Sequence, residues 1–266
     1  MIRLLLSLVF LWIAVPSAAE TLRIAVTTSF DNSGLSDILR PEIEKELGIE
    51  LQFIVVGTGQ ALKLGRAGDV DALLVHAKPA EKAFVAEGFA PYRREIMFND
   101  FIIAGPQNDP SKLRAEKSVT EAFATLARDM PKFVSRGDDS GTHKAERAIW
   151  SATGLDPDTF GRWYTEVGAG MGSALNTAAG LNAYVMSDRA SWLTFQNKGT
   201  LALVFENDPL LFNQYSFLPV DPERHPHVAS AAVKELEIWL TSQRAAQLIN
   251  NYTLSGQRLF TFNASP

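Results

Sequence analysis

The sequence predicts an α/β protein of two lobes, each a mainly parallel sheet flanked by helices, with a ligand cleft between them. Three observations carry this expectation. Short β-branched or apolar runs alternate with helix-like stretches, the pattern of βα units. Two extended segments, Asp100–Ala104 leading into Gly105-Pro106 and Asn213–Val220 leading into Asp221-Pro222, read as crossings between lobes. Polar, glycine-rich turns recur where strands end and helices begin, and a parallel sheet gathers such turns on one edge.

The chain opens on Met1-Ile2-Arg3, an apolar run from Leu4 to Val15, and Pro16-Ser17-Ala18-Ala19. A positive start, about a dozen apolar residues and a small-residue cleavage site make residues 1–19 a signal peptide, too short to span a bilayer. No cysteine follows the apolar run, which excludes lipobox processing. The mature chain is therefore expected in the periplasm, with no stable membrane insertion after cleavage.

Strands are predicted over Leu22–Val26, Leu51–Val56, Ala72–Ala77, Phe101–Ala104, Phe133–Ser135, Trp163–Val167, Ala183–Met186, Ala202–Phe205 and Ser216–Val220. Between the first two, Leu35, Ile38, Leu39, Ile43 and Leu47 keep helical spacing; Pro41 should kink or restart that helix, and Gly48 suits its C-terminal cap. Ser118 with Glu121 reads as a capping box ahead of Ala122, Phe123 and Leu126. Val228–Tyr252 reads as two consecutive helices. If both extended segments cross, residues 20–104 and 215–266 form one lobe and 105–214 the other; a single continuous domain is the alternative.

The complete absence of cysteine removes disulfides, thiolate metal sites and thiol nucleophiles. The formal net charge is −5, and loss of Arg3 with the leader leaves 24 positive against 30 negative side chains, or −6. That balance excludes nucleic acid, which needs a basic face. A bound anion would have to be held by local dipoles and a few arginines.

Three turns have that character. The first strand runs into Thr27-Thr28-Ser29, the second into Gly57-Thr58-Gly59-Gln60, and the fifth into Arg136-Gly137-Asp138-Asp139-Ser140-Gly141-Thr142. Each sets backbone N–H groups and hydroxyls beside the positive end of a helix, a ready anion site. Plain N-capping by Ser, Thr and Asp is the competing explanation. Arg189, in Met186-Ser187-Asp188-Arg189, is a second charge candidate, with a salt bridge to a nearby acid as its alternative.

With these segments in view, the chain resembles the tungstate-binding proteins of ABC importers. Val-Thr-Thr-Ser at 26–29, Gly-Thr-Gly-Gln-Ala-Leu at 57–62, Leu-Leu-Val-His-Ala at 73–77, Ser-Arg-Gly-Asp-Asp-Ser-Gly-Thr-His at 135–143 and Ser-Asp-Arg at 187–189 carry the resemblance. It implies a type II periplasmic binding fold, a tetrahedral oxyanion as ligand, a membrane permease as partner, a monomer, and no cofactor or metal beyond the oxyanion itself. Carried over by position, it implicates Thr27, Thr28, Thr58, Arg136, Ser140, Thr142 and Arg189 in binding. The family's first motif has a further Thr where this chain has Val26, which removes one possible hydroxyl.

The spacing within Arg136–Thr142 also resembles phosphate-binding proteins. Tungstate and molybdate are proton-free dianions that want donors only, whereas hydrogen phosphate gains from an acceptor. Asp138 is either that acceptor or a brace for Arg136, and bracing is favoured because the two lie in one turn. Rivals from other classes are weaker. Asp139, Ser140, His143 and His76 suggest a hydrolase, but no Gly-x-Ser-x-Gly elbow is present. His225 and His227 flank Pro226 without further ligand spacing, and the aromatic residues read as core. An organic-anion receptor would require a much larger cleft.

Overall fold

The computed structural model describes residues 20–265, so the expected signal peptide lies outside the described residues. The first part of the chain forms β1 (Thr21–Thr27), α1 (Thr28–Asn32), α2 (Leu35–Leu47), β2 (Glu50–Val56), α3 (Thr58–Ala67), β3 (Ala72–Val75), α4 (Lys78–Ala86) and the long β4 (Arg94–Pro106). The middle forms α5 (Val119–Asp129), β5 (Phe133–Ser135), α6 (Gly141–Ala152), β6 (Tyr164–Glu166), α7 (Met171–Leu181), β7 (Tyr184–Asp188), α8 (Arg189–Thr194) and β8 (Leu201–Phe205). The last part forms β9 (Phe212–Pro219), α9 (Ser230–Leu240), α10 (Gln243–Asn251) and the short β10 (Thr253–Leu254), β11 (Gln257–Arg258) and β12 (Thr261–Phe262).

One strand serves two sheets. From Arg94 to Asp100, β4 runs antiparallel to β9, and β12 adds to Met97 and Phe98 on its other edge. From Phe101 onward it runs antiparallel to β7 and then β8. The change of partner falls between Asp100 and Phe101, ahead of the sequence boundary at 104. Its return strand β9 pairs with Asp100 from Phe212 onward, ahead of the boundary at 215. Parallel pairing joins β1 to β2 and β3 on one side and β5 to β6 and β7 on the other. Each sheet is therefore mixed: its βα units are parallel, and the strands that pass between halves run against them.

Helices cover both faces of each sheet. In the first half, α2, α9 and α10 bury Leu39, Ile43, Leu236 and Ile249 against Ile24, Val26 and Phe217, while α3 and α4 bury Leu62 and Phe84 against Leu73, Val75 and Leu218. In the second, Phe123 of α5 and Trp150 of α6 meet Phe133 and Met186, and Ala174, Leu175 and Ala178 of α7 meet Ile102, Val134 and Val185. Burying side chains of this size stabilises the fold by roughly 1.5–3 kcal/mol each.

Three local expectations meet the structure differently. Helix α2 runs through Pro41 as one element and ends on Gly48 in the left-handed conformation, φ 67°. Ser118 caps α5 by accepting from Glu121 N–H at 3.1 Å, but the Glu121 carboxylate accepts from Lys117 N–H, one residue outside the reciprocal box. Val26 is fully buried in the apolar core with Ile24 and Leu22. Strand alternation turns position 26 inward, so a hydroxyl there would face the core and not the turn beyond it.

Candidate functional site

The carboxyl ends of β1, β5 and β7 and the exit of β2 bring four helix N-termini together. Thr27 ends β1 and caps α1, its Oγ1 accepting from Phe30 N–H at 3.3 Å; Thr28 follows, half-buried, as the first residue of that helix. Thr58 opens α3 with no exposure, and its Oγ1 has no protein partner. Ser140 caps α6, accepting from His143 N–H at 3.2 Å. Thr142, the second residue of α6, is buried with its Oγ1 unpartnered. Asp188 caps the short α8, accepting from Ser191 N–H at 2.8 Å, while its Oδ2 and the Ser191 Oγ have no partner.

Arg136 carries the charge. It is 4 % exposed, its Nη2 donates to Asp138 Oδ2, and its Nε is unpartnered. The other Asp138 oxygen accepts from Ser140 N–H at 3.2 Å. Asp138 thus braces the guanidinium and the turn, with both oxygens spent within its own loop. Burial raises the Asp188 carboxyl above the usual range, against hydrogen bonds from Ser191 and the nearby Arg136 charge.

The two halves touch at these turns. Gly59, in the first turn of α3, faces Asp139: a methyl placed on it would stand 3.3 Å from the Asp139 backbone oxygen and Cγ, closer still to Oδ2. Gly141, at the start of α6, receives the His76 ring: a methyl there would stand 2.7 Å from Nδ1. Both glycines make room for a side chain of the opposite half. Leaving several buried donors unpaired costs about 1–3 kcal/mol each, so a cluster of them with a guanidinium among them is built to be filled by an acceptor-rich group.

The structure does not bring the Arg189 guanidinium to this cluster. Its Nε and Nη2 donate to the two oxygens of Asp100 at 2.7 and 2.5 Å, and Nη2 also reaches Glu206 at 2.6 Å. These hydrogen bonds hold its pKa above the ordinary arginine value. Arg189 ties α8 to the point where β4 changes sheets.

Sequence reasoning missed a second layer behind the turn. Ser29 Oγ meets Thr27 Oγ1 at 3.1 Å, His76 Nε2 at 3.0 Å and Tyr215 Oη at 2.9 Å. Ser29 and His76 stood in motifs already singled out, but Tyr215 lies 186 residues away on β9 and no local signal marks it. Beside the cluster opens a cavity of ≈ 650 Å³, lined by Lys78 and Asn213 of one half and His143, Lys144 and Arg147 of the other. It reaches His76 and Gly141 but none of Thr27, Thr58, Arg136, Ser140 or Thr142.

Features of the rival readings have structural occupations. His143 Nδ1 accepts from Asp139 N–H at 3.1 Å, so it does not face Ser140 Oγ as a base. His225 and His227 bond through Nε2 to the carbonyls of Arg66 and Gly68 at 3.1 and 2.8 Å. Among the described residues no cluster of His, Cys, Asp and Glu could hold a metal, and no helix is long and apolar enough to cross a membrane.

Comparison with known proteins places these observations. The PBP superfamily domain matches residues 14–244. A tungstate-binding protein TupA from Peptoclostridium acidaminophilum is 42 % identical over 252 residues, covering 93 % of this chain and 87 % of the relative. The solved tungstate-binding protein TupA of Desulfovibrio alaskensis G20 superposes with a TM-score of 0.82 at 42 % identity, over 93 % of this chain and all of that one. The solved tungstate ABC transporter protein of Geobacter sulfurreducens gives 0.80 at 41 % identity, over 88 % of this chain and all of that one.

Proposed function

The chain belongs to the PBP superfamily, in the family of the TupA tungstate-binding proteins that it matches along most of its length, and from that premise we propose that it captures tungstate outside the cytoplasm and delivers it to an ABC permease. The observation that carries the reading is the set of buried donors without acceptors: Thr58 Oγ1, Thr142 Oγ1 and Arg136 Nε, closed in by Thr27 and Ser140. A tetrahedral dianion presents only acceptors. Charge-assisted hydrogen bonds away from water are the strong ones, and they offset the cost of stripping its hydration.

In this reading Thr27, Thr28 and Thr58 come from the first half, and Arg136, Ser140 and Thr142 from the second. Donors from both sides act together only when the halves meet, so the anion shifts the population toward the closed form. The two halves act as lobes, and the closed shape is what the permease recognises. Arg189 acts as a hinge brace through Asp100. The protein works as a monomeric periplasmic receptor and carries out no bond chemistry, Ser140 serving as a cap and donor.

Hydrogen phosphate is a second reading, favoured by one observation: Asp188 Oδ2 is buried beside Arg136 with no partner and is an acceptor when ionised. Calorimetric titration of the mature, ligand-free protein with tungstate, molybdate, sulfate and phosphate separates the two. Tight one-to-one tungstate binding with phosphate silent is expected, and Arg136→Ala should cost roughly 3 kcal/mol or more, in the range for unpairing a buried charge. Heat only with phosphate would establish the second reading, and unchanged tungstate binding by the variant would remove Arg136 from the site.

A further inference from the structure

His76 lies outside the donor set, yet it is 7 % exposed and sits where the halves meet. Its role follows from counting protons. Tyr215 is fully buried with the Ser29, Thr27 and Asn213 side chains around its hydroxyl, and its 2.9 Å hydrogen bond is to Ser29 Oγ, which the phenol reaches as donor. Ser29 Oγ has one proton, two lone pairs and two further neighbours, His76 Nε2 and Thr27 Oγ1. The His76 tautomer decides the rest.

If Nε2 carries the proton, the imidazole donates to Ser29, whose lone pairs are then both filled. Its own proton must go to Thr27 Oγ1. Thr27 already accepts from Phe30 N–H, so both its lone pairs are filled and its proton remains to be given, which an anion in the site would accept. If Nε2 is bare, the two arrows beyond Tyr215 reverse: Ser29 donates to His76, Thr27 donates to Ser29, and Thr27 keeps a lone pair and no proton for an anion.

We propose, resting on the oxyanion reading above, that His76 is a positioning residue: protonated at Nε2, it orients the hydroxyl chain Tyr215–Ser29–Thr27 so that Thr27 meets the anion as a donor. The surroundings of the other ring nitrogen favour this tautomer. Nδ1 has no hydrogen-bond partner, so a proton there would be a buried donor without an acceptor, whereas Nε2 has Ser29 Oγ. The ring edge faces Gly141 at the start of α6, with Cε1 nearest and both nitrogens close behind, so that helix end opposes a second proton on the ring. Burial and then Arg136 also hold the ring neutral, its pKa lowered to about 4. Ser29 and Tyr215 belong to the first half, α6 and Arg136 to the second. Closure therefore brings the groups that keep the ring neutral, and the hydroxyl chain is set for donation as the cleft shuts. A device of this kind selects proton-free anions.

The test uses the mature protein with tungstate as probe. The nitrogen-15 spectrum of the His76 ring in the tungstate-bound protein should show the proton on Nε2. His76→Phe keeps a ring but no donor and should bind tungstate on the order of tenfold to a hundredfold more weakly, the range for one hydrogen bond to a charged group. His76→Gln, whose side-chain amide can donate to Ser29, should recover most of that loss. Unfolding midpoints of both variants identify any variant that is simply misfolded, and the ring spectrum of the wild type needs no variant at all. A proton on Nδ1 would overturn the inference, as would equal binding by His76→Phe and wild type, or equal loss in both variants. Failure of the wild-type protein to bind tungstate would instead overturn the oxyanion reading, which keeps the two outcomes distinct.

Discussion

At the scale of single residues, burial decides what each polar group does. Glu146 on α6 is fully buried, and one of its oxygens accepts from Trp150 Nε1 at 3.0 Å and Tyr164 Oη at 2.7 Å. Burial raises its pKa from 4.5 to about 7, against those hydrogen bonds. The folded state thus holds the proton more tightly than the unfolded chain. Its contribution to stability is complete below pH 4.5 and is lost as pH rises through about 7. Glu146→Gln keeps an acceptor for both donors and never ionises. Denaturant unfolding of the two proteins at pH 5 and pH 8 should show the variant gaining relative to wild type at the higher pH, by on the order of 3 kcal/mol. The same difference at both values would refute this account of Glu146.

Residue identity also marks how far the site was legible. Thr58, Arg136 and Thr142 could be singled out as candidates because each sits in a short motif at a strand-to-helix junction, where backbone geometry fixes its direction. Arg189 sits at such a junction as well, but a side chain of its length is claimed by whatever acids lie in reach, and Asp100 and Glu206 are distant in sequence. Tyr215 behind Ser29 shows the same limit. Position 26 was misjudged for the opposite reason: a hydroxyl was counted without asking which face of β1 it would occupy, and that face is core.

At the scale of elements, helices and parallel strands were readable because their periods are local; β4 was read as a crossing only over Asp100–Ala104, and its first part was not read at all. Its first part carries Arg94, Glu95, Asn99 and Asp100, which interrupt an apolar pattern because they serve ion pairs and the meeting of the halves. The turn glycines Gly59 and Gly141 admit Asp139 and His76 from across the cleft. Gly141→Ala should therefore hold the halves apart without touching a donor. Overpacking of this kind costs about 1–3 kcal/mol, so tungstate affinity should fall roughly tenfold or more. Solution scattering should then show a smaller contraction on adding tungstate than in the wild type. Full contraction at unchanged affinity would mean that His76 finds room elsewhere.

At the scale of the whole molecule, the proposed donors are divided between two halves joined by β4 and β9, so in this reading neither half completes the site alone. A net charge of −5 gives no long-range attraction for an anion. Capture must then rest on short-range hydrogen bonds and on the helix N-termini that meet at closure, with the larger neighbouring cavity left to solvent. The most direct test is a crystal grown with tungstate and measured at the tungsten absorption edge, where the anomalous signal locates the metal without assumptions. This account predicts one strong peak within hydrogen-bond reach of Thr27, Thr58, Arg136 and Thr142. A peak in the neighbouring cavity beside Lys144 and Arg147 would contradict it, whatever the affinity in solution.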